Sequence, residues 1–249
     1  MRSRKRREPD PYDGLLLVDK PTDWTSNDVV VKIRNHFGFS KVGHGGTLDP
    51  MATGLLVLLI GRGTKLSDRI MGGDKTYEGK IRLGVTTNTQ DADGEVLNTT
   101  DASQITREQV EQVIAERYLG DIEQIPPMVS AIKKDGVPLY KLARKGQEIE
   151  REPRRIHIYS FEVLAFDNPL VTFRVKSTKG TYVRTLAHDL GGDLGVGGSL
   201  DGLRRTASGP LTVDKAHAME EILACDRTSI GQRIIHLSDM LGSQAECAT

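Results

Sequence analysis

Residues 43–60, GHGGTLDPMATGLLVLLI, set a loop of four glycines and a proline directly against a short apolar run. Gly and Pro punctuate regular structure, so residues 43–54 read as a loop. The run from Leu55 to Ile60 has the length and composition of a buried strand. One acidic residue, Asp49, sits in the loop between Leu48 and Pro50. Aspartate before proline is a common turn former, and loops on a rigid scaffold are also where catalytic groups collect. Both readings of Asp49 stand at this point.

Upstream of the loop, GLLLVDKP (14–21) reads as a buried strand ended by Pro21. Ser26 is placed to cap a helix whose Val29, Val30, Ile33 and Phe37 form one apolar stripe, with Gly38 as its stop. Downstream, KTYEGKIRLG (75–84) alternates, with Tyr77, Ile81 and Leu83 on one face and Glu78, Lys80 and Arg82 on the other, so Tyr77 is expected to point inward. Thr106 and Gln109 make a capping box for a helix reaching Tyr118. IHIYSFEVLAF (156–166) and LVTFRVKST (170–178) are two strands split by the turn residues Asp167, Asn168 and Pro169. Thr181 to Leu190 reads as a helix with Tyr182, Leu186 and Leu190 at four-residue spacing. SLDGLRRTASGPLTV (199–213) reads as a further strand, and a short helix lies near Met219 to Leu223. Strands outnumber helices and hairpin-like links dominate, which predicts a mixed α/β (α+β) fold: a largely antiparallel sheet flanked by helices.

The segment from about 125 to 155 differs in composition, being rich in Pro, Lys, Arg and Gly, and is expected to be an insertion holding a short strand, a turn and a short helix. Between Lys133 and Arg155 eight basic residues stand against four acidic ones, although Lys plus Arg and Asp plus Glu balance at 34 each over the chain. Such a cluster suits phosphate groups or a solvated surface equally. Five basic residues between Arg2 and Arg7, followed by Pro9 and Pro11, make residues 1–12 an expected disordered basic arm. No apolar stretch of signal-peptide or membrane-spanning length occurs, so a cytoplasmic location is the default.

Several chemistries lack their residues. The two cysteines, Cys225 and Cys247, have no CxxC spacing, and the six histidines form neither HExxH nor an i, i+4 pair, so no metal site is expected. GHGGTLDP and GRGTK miss the spacing of a phosphate loop, and no GxSxG is present.

The segment GHGGTLDPMATGLLVLLIGRGTK (43–65) closely resembles the catalytic motif of the TruB family of tRNA pseudouridine synthases. LVDKPTDWTS (17–26) resembles that family's N-terminal K-P motif, GGDKTYEGKIRLG (72–84) its tyrosine-bearing strand, PPMVSAIKKDGVPLYKLARKG (126–146) its RNA-clasping insertion, STKGTYVRTLAHDLG (177–191) its arginine motif and GLRRTASGP (202–210) the leucine-arginine motif that follows. The segments occur in family order. The resemblance implies the pseudouridine synthase fold, with a catalytic domain over 13–212 that contains the insertion at about 125–155, and a short extension at 213–249 without a complete PUA domain.

It also implies roles. Asp49 is the catalytic carboxylate, acting at ribose C1′ or base C6, and either route needs it ionised. Arg184 is the cation paired with it, which favours the charged form and cannot itself lose a proton. Tyr77 stacks on the flipped uracil and takes part in removing the C5 proton. His44 fills the space the flipped base leaves, Tyr182 and Leu203 line the uracil pocket, and Lys20 is a further substrate contact or a structural residue. The implied partner is the T-arm loop of tRNA, with the uridine at position 55 as substrate, no cofactor, no obligatory protein partner and a monomeric enzyme. His188 and Ser199 depart from residues common in the family. A non-catalytic tRNA-binding or folding protein on the same scaffold is the alternative, and the presence of Asp49, Tyr77 and Arg184 together speaks against it.

Overall fold

The computed structural model describes residues 10–130, 132–134, 136–143 and 146–242. Most of the basic arm expected at 1–12, and parts of the expected insertion and C-terminal extension, lie outside the described residues. The chain divides into two compact units, Met1–Gly73 with Arg205–Thr249, and Asp74–Arg204.

The first unit begins with β1 (Gly14–Lys20), α1 (Ser26–Phe37), β2 (Val42–His44), β3 (Thr53–Ile60), a 3-10 turn (Gly61–Leu66) and α2 (Ser67–Gly72). The consecutive apolar residues of β1 and β3 are buried on both faces, as a strand with no polar alternation must be. The two strands pair antiparallel, with Lys20 opposite Gly54 and Gly14 opposite Ile60. That register puts Lys20 beside the end of the glycine loop, where it passes into β3. β2, short and inside the segment expected to be loop, pairs with β3 so that His44 lies opposite Leu58. Leu15, Leu17, Leu55, Val57, Leu59 and Ile70 form one cluster of the core. Each buried aliphatic side chain of this kind stabilises by roughly 1.5–3 kcal/mol.

The second unit holds β4 (Lys75–Leu83), β5 (Val85–Thr87), β6 (Val96–Thr99), α3 (Arg107–Arg117), β7 (Gly120–Gln124), β8 (Lys133–Lys134), β9 (Val137–Pro138), α4 (Leu139–Ala143), β10 (Arg154–Asp167), β11 (Leu170–Ser177), α5 (Val183–Asp193) and most of β12 (Gly198–Ser208). β4, β11, β10 and β7 form a run of antiparallel neighbours. Thr106 caps α3 with the expected box to Gln109. The chain then completes the first unit with β13 (Leu211–Thr212), β14 (His217–Ala218), α6 (Met219–Leu223), α7 (Arg227–Gln232), β15 (Ile235–His236) and α8 (Leu237–Gly242). β14 adds to β1 in parallel and β15 antiparallel. The mixed, mainly antiparallel architecture flanked by helices is the one expected.

Two boundaries differ from expectation. The cap of α1 is Thr25, not Ser26: Thr25 and Asp28 bond reciprocally in a capping box, whereas Ser26 has Val29 at the corresponding third position and turns its hydroxyl elsewhere. Tyr182 precedes α5 as its N-cap residue instead of lying on the helix, and its own side chain makes no capping bond. No described helix is long and apolar enough to cross a membrane.

Candidate active site

The loop carrying Asp49 is held from several sides within the first unit. Gly46 has φ +126° and Gly45 is so close to Ile70 that a β-carbon there would overlap its side chain, so both positions need glycine. The Gly45 amide donates to the Val57 carbonyl at 2.8 Å. Leu48 is buried, and its amide donates to the Ser26 hydroxyl at 2.8 Å while that hydroxyl donates to the Leu48 carbonyl at 3.1 Å. Pro50 is fixed on the other side. Its carbonyl accepts from the Asp23 amide at 2.9 Å and from Lys20 Nζ at 3.1 Å. The half-buried Asp49 thus stands between two neighbours whose backbone is pinned.

Two buried cations do much of this work. Lys20, 0% exposed, also donates to the Pro21 and Trp24 carbonyls at 2.8 and 2.5 Å. Burial lowers its pKa from 10.5 to about 8, with Asp23, Asp49 and Asp28 acting in the opposite direction. Asp49 is therefore within electrostatic reach of the Lys20 ammonium. Arg205, 2% exposed, spreads its guanidinium over the Leu55, Thr47 and Gly46 carbonyls at 2.8, 3.4 and 3.2 Å. Five planar donors suit this task better than a lysine would. His44 lies nearby. Burial first, and then the Arg205 charge, hold its imidazole below the ordinary range, so it is neutral at pH 7.

The second unit contains the remaining expected site residues. Tyr77 on β4 is half-buried, where the alternation predicted an inward-facing residue. Leu203 on β12 and Tyr182 ahead of α5 are half-buried as well. Arg184, in the first turn of α5, is 3% exposed and donates to the Thr89 carbonyl at 3.1 Å and the Val129 carbonyl at 2.7 Å. Its Nη1 is 3.5 Å from Asp91 Oδ2. Asp91, 5% exposed, is itself oriented by the Thr89 hydroxyl at 2.6 Å and the Asp93 amide at 3.2 Å. A buried ion pair needs such additional bonds to offset desolvation.

Tyr182 is held from outside its helix. The buried Gln124 side chain at the end of β7 accepts from the Tyr182 amide at 2.7 Å and donates to the Tyr182 carbonyl at 3.0 Å. This replaces the cap that tyrosine cannot supply. Gln124, Asp91, Arg205 and Ser26 are positioning residues that sequence reading missed.

A model of the N-terminal domain of TruB family pseudouridylate synthases matches residues 34–183, and a model of the tRNA pseudouridylate synthase B C-terminal domain matches 184–242. A tRNA pseudouridine synthase B of Opitutus terrae is 52% identical over 223 residues, covering 90% of this chain and 92% of that protein. One from Ralstonia pickettii is 48% identical over 232 residues, covering 92% and 72%. Among solved structures, a chain of a Cbf5-Nop10-Gar1 complex aligns with TM-score 0.68 and 30% identity over 86% of this chain and 54% of that one, so this chain spans about half its length. An H/ACA RNP bound to a substrate RNA containing 2′-deoxyuridine aligns with TM-score 0.64 and 27% identity, over 85% of this chain and 53% of that one. Matched from residue 34 to 242 by the two family models and similar almost end to end to a curated relative, the chain belongs to the TruB family of pseudouridylate synthases and is an isomerase of that class.

Proposed function

We propose that this chain converts the T-loop uridine of tRNA, position 55, to pseudouridine, with Asp49 as the nucleophile. The observation that carries the reading is the single carboxylate of a glycine loop whose neighbours, Leu48 and Pro50, are anchored by Ser26, Lys20 and Asp23. A fixed carboxylate near cations is what a reaction through an ionised nucleophile requires.

The reaction breaks the N1–C1′ bond, turns the uracil and forms a C5–C1′ bond, and the proton on C5 is lost as N1 gains one. It is an isomerisation with no net oxidation. Asp49 attacks C1′ or C6 and is the leaving group when the new bond is complete. Arg184 is assigned as the cation that keeps the carboxylate charged, and Asp91 as the group that orients Arg184. Tyr77 stacks on the flipped base, which contributes roughly 1–3 kcal/mol toward the few kcal/mol of unstacking. Tyr182 and Leu203 line the uracil pocket, and neutral His44 takes the space vacated in the RNA loop. Lys20, its ammonium given to three carbonyls, braces the catalytic loop. The enzyme acts as a monomer on the T arm without a protein partner, and the basic insertion meets the RNA phosphates.

Mapping by carbodiimide modification and primer extension on an unmodified transcript tests the site of action. Pseudouridine at the T-loop uridine is expected. Binding of the transcript without any pseudouridine would leave the non-catalytic tRNA-binding protein as the better reading, and pseudouridine elsewhere would overturn the assigned substrate position.

A further inference from the structure

A cleft of about 560 Å³ in the first unit lies apart from the catalytic loop. Lys41, Arg62, Lys65 and Arg227 line it, together with Tyr12, Asp10 and Asp13. Its two acids serve the fold. Asp13 is 7% exposed and its carboxylate accepts from the Arg62 and Asp10 amides, while Asp10 accepts from the Tyr12 amide at 3.0 Å.

The cations are placed by backbone structure rather than by carboxylates. Lys41 is tied to the 3-10 turn carrying Arg62 and Lys65 by the bond from the Gly61 amide to the Lys41 carbonyl at 2.9 Å. Arg227 lies over the Tyr12 ring at 4.8 Å and near the Phe39 ring at 5.9 Å, with the Tyr12 hydroxyl donating to the Arg227 carbonyl at 2.9 Å. Cation–π contact holds a guanidinium without neutralising it. Among the described residues, only Arg62 of the four is within 4 Å of a carboxylate, that of Asp13 at 3.9 Å. Three cations with no ion pair among the described residues line one cleft on a chain of net charge zero, an arrangement that suits an anion.

We infer that this cleft binds backbone phosphates of the RNA substrate outside the loop that carries the target uridine. The inference rests on the reading of the protein as an RNA-modifying enzyme. Its ligand is a polyanion because four cations line the one cleft while its two acids are engaged by backbone amides. β1 runs from Gly14, next to Asp13, to Lys20 at the catalytic loop, and six residue steps of about 3.3 Å separate those ends by roughly 20 Å. That is the scale of a helical stem and exceeds one nucleotide.

The test uses the full chain carrying Lys41→Ala and Lys65→Ala, both at exposed positions outside the catalytic machinery. Affinity is measured from 50 to 200 mM salt for a tRNA transcript, for a minimal T-loop hairpin and for inorganic phosphate, and turnover is measured separately at saturating RNA. Each lost phosphate contact lowers the slope of log affinity against log salt by about 0.7–0.9, so over this range the variant should lose about tenfold less affinity for tRNA than wild type does. Its binding of the minimal hairpin and its saturated turnover should match wild type. An unchanged slope on tRNA overturns the inference. So does phosphate binding that the substitutions abolish with tRNA affinity unaltered, which would make the cleft a small-anion site. Loss of saturated turnover would place the lysines in the chemistry and also overturn it. A wild-type protein that makes no pseudouridine but shows the slope difference would sink the proposed reaction and leave the cleft standing.

Discussion

Lys20→Met tests how the catalytic loop is held. Methionine keeps most of the stem and removes the ammonium, leaving the Pro21, Trp24 and Pro50 carbonyls without their donor. At about 2 kcal/mol for each buried acceptor left unpaired, the loss is roughly 6 kcal/mol. Relief of the buried charge offsets part of it. The fall from 10.5 to about 8 is 2.5 pKa units, or roughly 3 kcal/mol at about 1.36 kcal/mol per unit. The variant should therefore be about 3 kcal/mol less stable at pH 7. The sign of the pH dependence is the sharper test. Between pH 8 and 10.5 the unfolded chain binds more protons at this site than the folded one, so the contribution of Lys20 rises with pH across that window and is lost as pH falls through 8. Urea unfolding of both proteins at a series of pH values isolates the effect, because other groups cancel in the difference. The gap should widen from about 3 to about 6 kcal/mol by pH 10.5. A gap that narrows with rising pH would refute the claim that burial dominates the state of Lys20.

Arg205→Leu should destabilise the protein by about 3 kcal/mol, since it strips the Gly46, Thr47 and Leu55 carbonyls of donors. It should also raise the His44 pKa, read by NMR, by removing a neighbouring positive charge. His44→Gln should flatten the acid side of the stability curve. Because the folded-state pKa of His44 lies below 6.5, its contribution is present above 6.5 and lost as pH falls through the folded value, a loss that glutamine cannot show. Gln124→Leu frees the Tyr182 peptide and should lower kcat about tenfold by misplacing the start of α5; a change in KM alone would argue against a positioning role.

Much of the architecture was legible because its signals are local. The unbroken apolar runs of β1 and β3, the turn at Asp167–Pro169 and the capping box at Thr106 each decide an element without help from distant residues. The cap of α1 was misread as Ser26, although the capping-box signal, an acidic residue three positions on, belongs to Thr25. The loop with Asp49 stood out by its glycines and its lone acid, and family resemblance supplied the roles of the other residues. The scaffolding behind the site was not legible. Arg205 reads as one more residue of a strand, Gln124 as a polar strand end and Asp91 as part of a turn-rich stretch. Their partners are main-chain groups or a buried guanidinium tens of residues away, and no periodicity records such pairings. Tyr182 was misassigned to the helix for the same reason, because its cap comes from Gln124, 58 positions away in sequence.

The most direct test of Asp49 compares wild type with Asp49→Ala on an unmodified tRNA transcript, without added cofactor, following pseudouridine formation in a single turnover alongside transcript binding. The predicted result is modification of the T-loop uridine by wild type and none by the variant, with both proteins binding the RNA. A variant that forms pseudouridine within tenfold of the wild-type rate would contradict the assignment of Asp49 as nucleophile.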